Sequence, residues 1–448
     1  MIPELWPHQE ETRGRYEQHP QALLDLSDAG TGKTRGAIQA FSDRRRNGGK
    51  CALVVAPKTL LDSAWGEDIS KFNPELSYSI AWAHNRAKAF ELDVDVYITN
   101  PAASTWLAKQ GKKFFDRFDT LIIDEISDFK HRTSQRSKAM RKICKHFKYR
   151  AGLTATPNST SVTDIWHQAL IVDDGELLGT NFWKFREAVC IPEIRDPRFP
   201  NRVEWRDRPG AVQAVAEILA PIVVRHNFED VMPHVPEQTI KTVNYMPSQR
   251  LLALYERLKA EALLRVKEGE VDAVNAAALR TKLLQVASGS VYGVDGVITF
   301  DTGRTELVRQ LISQRPHSIV FYNWEHQRDS MVEALDKAGI SNIVLGKDTR
   351  DRGQVVRDFQ DGQYQVMLMH PQTGAHGLTL TRATTVIWMS PNDRADLIKQ
   401  GDARVRRGTQ DKVTESIRIC AKGTLEEQVF DNTERKLSAM DELMEILQ

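Results

Sequence analysis

Ser27-Asp28-Ala29-Gly30-Thr31-Gly32-Lys33-Thr34 follows a short apolar run, Ala22-Leu23-Leu24, and opens a segment, residues 35–41, with helical spacing. That strand–loop–helix order is what a phosphate-binding loop requires. Gly30 and Gly32, flanking Thr31, let backbone N–H groups turn inward around phosphate oxygens, where a Cβ would obstruct the turn. Lys33 brings a compact positive charge to β- and γ-phosphates, and the Thr34 hydroxyl is suited to Mg²⁺. The start of the following helix adds its positive dipole end. The full pattern G-x-x-x-x-G-K-[ST] has glycine where this chain has Ser27. A glycine-rich turn with a chance Lys-Thr pair would look the same in isolation, so the rest of the chain must decide.

A chain of 448 residues is too long for one typical core, so two domains are expected. With 41% hydrophobic and 27% charged residues it has the composition of an ordinary globular protein. The net charge is only +1, so any nucleic-acid surface must be a local patch balanced by acid elsewhere. No run approaches the ~18 apolar residues of a membrane span. The N-terminus has no signal-peptide pattern, which predicts a cytoplasmic protein. The four cysteines are far apart and form no C-x-x-C, which suits a reducing compartment and argues against zinc.

Upstream of the loop, Leu5-Trp6-Pro7-His8-Gln9 places an amide whose donor and acceptor can distinguish adenine from guanine. Downstream, residues 51–57 read as a parallel strand buried on both faces, with Lys58-Thr59 at the carboxyl end, where open α/β sheets bind ligands. Residues 94–98, ending in Thr99-Asn100, and 120–123, ending in Asp124-Glu125, continue the series, as do 151–157. Asp124 is suited to holding Mg²⁺ and Glu125 to polarising the water that attacks the γ-phosphorus. Residues 175–300 are richer in helical pattern, notably 211–219 and 249–266, and Pro233 and Pro236 mark the interdomain connection. A second α/β series follows at 318–322, 343–345, 366–369 and 385–388. It carries a Gly- and hydroxyl-rich loop at 372–381, then Gln400-Gly401-Asp402-Ala403-Arg404-Val405-Arg406-Arg407. The spacing predicts Arg404 and Arg407 on one helical face, where an isolated basic cluster would ordinarily be solvated surface. Residues 424–447 read as a helix packing on the second lobe.

Taken together, the chain resembles the Snf2 family within helicase superfamily 2. Residues 5–9 look like its motif upstream of the ATP loop, 27–34 like motif I, and 54–65, ending in Trp65, like motif Ia. Asp124-Glu125-Ile126-Ser127 resembles motif II with Ile-Ser for Ala-His, and 153–157 resembles motif III. Residues 224–236 resemble the family's arginine-rich segment, keeping only the first of its paired arginines, Arg225. Residues 374–383 resemble motif V, with Ala375 and Thr379 departing. Residues 400–410 resemble motif VI, with Arg406 for the usual His, and 422–427 match Gly-Thr-x-Glu-Glu. Asp393-Arg394-Ala395 replaces Trp-Asn-Pro, making this a divergent member of compact prokaryotic or phage type.

The resemblance implies an α/β protein of two RecA-like, doubly wound parallel-sheet lobes, residues 1–235 and 236–448, with helical insertions between the motif III and motif IV regions. It implies ATP and Mg²⁺ as cofactors, with Gln9, Gly377 and Gln400 beside the nucleotide. Arg404 and Arg407 become finger residues that reach the γ-phosphate. Lys58, Thr59, Thr99 and Asn100 with Asn323 and Thr373 would contact the DNA backbone rather than its bases. The expected activity is that of a monomeric ATP-dependent translocase on double-stranded or branched DNA. A strand-separating DNA or RNA helicase, or an ATP-switched scaffold for a partner protein, remain alternative readings.

Overall fold

The structure, a computed structural model, describes residues 2–157, 161–194, 203–267, 273–374 and 377–446. Ala375 and His376 of the motif V stretch therefore lie outside the described residues. The chain divides into two compact units, Met1–Pro233 with Lys436–Gln448, and His234–Arg435. The break falls beside the prolines that marked the connection.

In the first unit the strands are β1 (Ala22–Asp25), β2 (Cys51–Val55), β3 (Tyr78–Ala81), β4 (Val96–Thr99), β5 (Phe118–Asp124) and β6 (Tyr149–Leu153). An antiparallel hairpin of β7 (Cys190–Ile194) and β8 (Val203–Asp207) precedes the short β9 (Val223–Val224). Among the described residues the main sheet has the order β3-β4-β2-β5-β6-β1-β9, with every pair parallel. The apolar runs have the composition of strands covered on both sides. In β2, Leu53 and Val55 enter one core while Ala52 and Val54 enter the other. Because all strands run the same way, the segments leaving β1, β2, β4, β5 and β6 emerge at one edge. That edge receives the 27–34 loop, Lys58-Thr59, Asn100, Asp124-Glu125 and Thr154.

The second unit holds β10 (Gln238–Tyr245), a hairpin of β11 (Ser290–Gly293) and β12 (Gly296–Thr299), β13 (Ser318–Phe321) and β14 (Asn342–Leu345). It continues with β15 (Val366–Met369), β16 (Thr385–Trp388) and β17 (Thr414–Ala421). Its main sheet is parallel throughout, in the order β10-β17-β16-β13-β15-β14. The two doubly wound parallel sheets are the expected RecA-like lobes. Helices Ala211–Leu219 and Gln249–Lys267 occur where the spacing predicted them. The two hairpins were not expected within the helical stretch.

Two local expectations are changed. The helix Leu425–Ile446 does form, yet residues from Lys436 onward group with the first unit, where Met444 joins the core. The motif VI helix is Ala395–Asp402, so Arg404 and Arg407 stand in the turns beyond it rather than on a helical face. The helix ends there because the Asp402 carboxylate is fixed by Trp388 Nε1 at 2.8 Å, Ser416 Oγ at 2.7 Å and Arg418 Nη2 at 3.0 Å. The chain then turns back, and the Leu380 N–H donates to the Arg404 carbonyl at 3.0 Å. Gly401 allows the helix to lie close on the stacked Phe321 and Trp388 rings, since a Cβ there would come within 2.7 Å of Trp388.

Arg304 and Glu426 form an ion pair at 2.9 Å with both side chains 2% exposed. Arg304 also donates to the carbonyls of Met389 at 2.7 Å and Ala287 at 2.9 Å, while Glu426 accepts the Ala421 N–H at 2.8 Å. Removing one partner strands a buried charge. Glu426→Leu is therefore expected to lower the stability of the second unit by about 3–5 kcal/mol. Glu426→Gln, which keeps an acceptor oxygen, should cost less. Urea unfolding of both variants checks this, and a loss below ~1 kcal/mol for Glu426→Leu would show that the pair carries little.

Candidate nucleotide site

β1 delivers the chain into the loop through Asp25, whose buried carboxylate accepts the Ser27 N–H at 3.0 Å. Gly30 and Gly32 have φ of 95° and 81°, the left-handed region that a Cβ disfavours. Gly32 caps the helix Lys33–Arg46 without a side-chain cap, so the N–H groups of its first turn are presented as an anion site. Ser27 is not among the described residues of positive φ, so no glycine is required there. Its hydroxyl instead accepts the His226 N–H at 3.1 Å. The Thr31 hydroxyl donates to the Asp28 carbonyl at 2.9 Å, and the Thr31 carbonyl contacts His8 Nε2 at 2.7 Å.

Lys33 Nζ donates to the carbonyls of Ser27 at 2.7 Å and Asp28 at 2.9 Å. Burial pushes its ammonium down, opposed by the surrounding Asp25, Glu125, Asp124 and Asp28. Gln9 is buried against the loop; its Oε1 accepts the Trp6 N–H at 3.0 Å and its Nε2 donates to the Gly32 carbonyl at 3.4 Å. The amide that sequence alone assigned to adenine thus also braces the loop.

At the end of β5 the Asp124 carboxyl is pushed up to about 6 by burial, with Glu125 adding to the rise and Trp65 and Lys33 opposing it. The opposing hydrogen bond comes from Trp65 Nε1 to Asp124 Oδ2 at 2.8 Å. Glu125 has a left-handed backbone, φ 58°. Its Oε1 accepts from both Ser127 Oγ and Thr154 Oγ1 at 2.5 Å, and Thr154 Oγ1 accepts the Thr156 N–H at 3.0 Å. Burial raises the Glu125 carboxyl as well. Two acids side by side, one aimed by an indole and one by two hydroxyls, suit one metal-holding and one proton-accepting role. The half-buried Thr34 hydroxyl and the Asp124 carboxylate are the hard oxygen donors that Mg²⁺ takes while retaining waters. Among the described residues no cluster of three His, Cys, Asp or Glu side chains forms a separate metal cage.

A further segment holds the loop from behind. Past β9, the Asp28 N–H donates to the His226 carbonyl at 3.0 Å. The Arg225 guanidinium, 5% exposed, meets Asp28 Oδ1 at 3.0 Å and donates to the Leu26 carbonyl at 3.2 Å. Thr12 Oγ1 bridges the His8 carbonyl and His226 Nε2, both at 2.9 Å. The pairing of Arg225 and His226 with the loop was not foreseen, because nothing in spacing ties positions some 200 residues apart.

The other expected residues fall in several surroundings. Lys58 is exposed, its ammonium 4.1 Å from the Trp82 ring centroid, and Thr59 and Asn100 are half-buried. The Thr99 hydroxyl is fully buried and donates to the Ala81 carbonyl at 2.5 Å, away from any exposed surface. In the second unit Asn323 spends its amide on Ser390, Pro391 and Asn392. Thr373 stands half-buried in the short helix Pro371–Gly374, and Gly377 has φ 67°. Gln400 is buried in the motif VI helix, its carbonyl accepting from Arg404 Nε at 2.7 Å. Arg404 Nη1 and Arg407 Nη2 donate to the Leu378 carbonyl at 3.1 and 3.5 Å, tying motif VI to motif V. Burial pushes the Arg407 guanidinium down to about 10.

A parallel α/β lobe with this loop, these acids and a second lobe of the same kind defines a RecA-like ATPase of the helicase class. The chain matches the SNF2-related domain over residues 13–288 and the helicase conserved C-terminal domain over residues 303–409. It belongs to the SNF2-related family. It is similar to putative protein p41 of Acyrthosiphon pisum secondary endosymbiont phage 1, 24% identical over 95% of this chain and 96% of that protein. It is also similar to the putative ATP-dependent helicase/translocase YwqA of Bacillus subtilis, 22% identical over 93% of this chain but only 46% of the relative. The chain thus spans nearly all of the phage protein and less than half of the Bacillus one. Among solved structures it is similar to the Sulfolobus solfataricus SWI2/SNF2 ATPase core in complex with dsDNA, with 20% identity, a TM-score of 0.45, and coverage of 99% of this chain and 93% of that one.

Asp124 must be ionised to hold a cation, so kcat/KM for ATP should fall on the acid side. Trp65→Phe removes the N–H that favours the charged carboxylate. That limb is expected to move to higher pH by about half a unit or more, with ATP binding by the loop retained. Because the folded value exceeds the unfolded value of about 3.9, the ionised carboxylate costs stability above pH ~6. The cost is relieved as pH falls from about 6 towards 4. An unmoved acid limb in Trp65→Phe would show that Trp65 does not tune Asp124.

Proposed function

We propose that this protein is an ATP-dependent translocase on double-stranded DNA that uses ATP turnover to remodel protein–DNA or branched DNA structures. The observation that carries the reading is the half-buried Lys33, Asp124 and Glu125 cluster, whose Glu125 is held by the Thr154 hydroxyl at the neighbouring strand end. In this reading the loop and Lys33 hold the phosphates, and Thr34 and Asp124 hold Mg²⁺. Glu125 takes the proton from the attacking water. Arg404 and Arg407 supply positive charge to the γ-phosphate in the transition state. Lys58, Asn100 and Thr373, at the carboxyl ends of parallel strands, meet the DNA backbone, which suits movement along arbitrary sequence. The name of the Bacillus relative, a helicase/translocase, agrees with this activity.

The test is ATPase activity without nucleic acid and with single-stranded DNA, duplex DNA, forked DNA and RNA, alongside displacement of a third strand from a triplex. Duplex DNA is expected to stimulate most, with triplex displacement but no separation of the duplex. Strongest stimulation by RNA would overturn the reading. Lys33→Ala should lose tight ATP binding, whereas Glu125→Gln should bind ATP and lose turnover by at least ~10²-fold. Arg407→Lys should fold and bind ATP yet lose most DNA-stimulated turnover. Lysine cannot offer the bidentate geometry, and the burial that lowers the guanidinium would lower an ammonium too. Wild-type turnover in Arg407→Lys would leave Arg407 as structural charge.

A further inference from the structure

The second unit has a cavity of about 570 Å³ where β13, β14 and β15 end. This is the strand edge at which parallel α/β sheets bind ligands, and the volume is that of a small-molecule site. Its walls are unusually aromatic: Tyr292 from the β11–β12 hairpin, Tyr322, Trp324 and His370 all line it. The Trp324 ring lies nearly parallel to His326, 10° between planes at 6.4 Å, and Tyr292 packs on the same His326 at 5.2 Å. His326 is itself fixed, with its N–H donating to the Tyr292 hydroxyl at 3.2 Å and its Nε2 contacting Ser288 Oγ at 2.9 Å. Burial lowers the His326 imidazole to about 4, so the group backing the aromatic wall stays neutral near pH 7.

Trp324 is held from its backbone as well, its N–H reaching Gln327 Oε1 at 3.3 Å. Although aromatic and backed by a neutral imidazole, Trp324 is only half-buried and Tyr292 is 38% exposed. Large rings that face a cavity rather than the core leave stacking surface for a flat ligand. The remaining lining is mostly polar, with Val344 and Gly346 among it. Thr349 and Gln372 bring hydrogen-bonding groups, Arg328 and Lys347 bring positive charge, and Glu325 and Asp348 bring negative charge, with Arg328 paired to Asp329 at 2.7 Å. Lys347 pairs with Glu325 at 3.1 Å, but the lysine side chain is 73% exposed and the pair is open to exchange with a phosphate.

We propose that this cavity receives one unstacked nucleobase of a DNA strand, stacked on Trp324 with the tilted Tyr292 ring against its edge, and with Arg328 and Lys347 on the adjoining phosphate. The inference rests on the reading of this protein as a DNA-binding motor and adds a local distortion of the strand. A nucleobase has the flat face that the rings take and the polar edge that Thr349 and Gln372 take. Base–aromatic stacking of this kind tolerates any sequence. A captured base also marks a register on a backbone that is otherwise uniform.

The experiment measures affinity for three duplexes of the same length: fully paired, with one bulged thymidine, and with one bulged abasic nucleotide. The wild-type protein is expected to bind the thymidine bulge about tenfold tighter than the abasic bulge. Trp324→Ala and Tyr292→Ala should each erase that preference without changing affinity for the paired duplex, and Trp324→Phe should retain most of it. Unchanged thermal unfolding of both alanine variants guards against a folding effect. Equal wild-type affinity for both bulges, with normal binding of the paired duplex, would overturn the cavity proposal and leave the motor reading standing. A preference that survives both alanine variants would also overturn it, since the base would be held elsewhere. Failure to bind any of the three duplexes would sink the DNA-motor reading itself.

Discussion

Holding ionised groups together partly out of water is expensive, and the first unit half-buries Lys33, Asp124 and Glu125 at one strand edge. Each charge is given its own hydrogen-bond partners. The ammonium rests on the Ser27 and Asp28 carbonyls, Asp124 takes the Trp65 indole, and Glu125 takes two hydroxyls. Segments from motif Ia to motif III are therefore bound to one electrostatic problem. Phosphates and a cation add charges of the sign this arrangement already anticipates: anion against Lys33 and the helix end, cation against Asp124. The cost of partly desolvating such groups is the cost of a site ready for its ligand.

Much of this was legible in the sequence, for a physical reason. Parallel strands covered on both faces must be continuous apolar runs, so β2, β5, β6, β13, β15 and β16 announce themselves, as do the polar residues at their ends. Where a strand lies at an edge the pattern fails. β10 reads Gln-Thr-Ile-Lys-Thr-Val-Asn-Tyr and is mostly exposed, and its pairing with β17 shows only in three dimensions. Helical spacing likewise misplaced Arg404 and Arg407, because the signal that ends the helix at Asp402 is tertiary. Its carboxylate belongs to Trp388, Ser416 and Arg418. Thr99 looked like a strand-end hydroxyl for DNA, but one more residue of strand turns it into the core.

The second unit solves a related problem without phosphate chemistry of its own. Its arginines follow a helix whose end is clamped by Asp402, and their guanidinium groups share the Leu378 carbonyl. Clamping and sharing fix both side chains, so less conformational entropy remains to be lost in any further hydrogen bond they make. A loosely held surface arginine would have to give up that freedom on binding.

The departures from the family pattern become intelligible on the same terms. Ser27 stands where glycine is usual, and its φ needs no glycine; the hydroxyl it adds binds His226. Arg225 remains without its usual neighbour, and the one guanidinium meets Asp28 and the Leu26 carbonyl from a nearly sealed position. Ser127 stands where the family pattern has histidine, and its hydroxyl donates to Glu125. In each case the residue present makes a hydrogen bond to the loop or to its acid. Polar groups shielded from water must be hydrogen-bonded, and the residue type that supplies the donor matters less than its reaching the same oxygen.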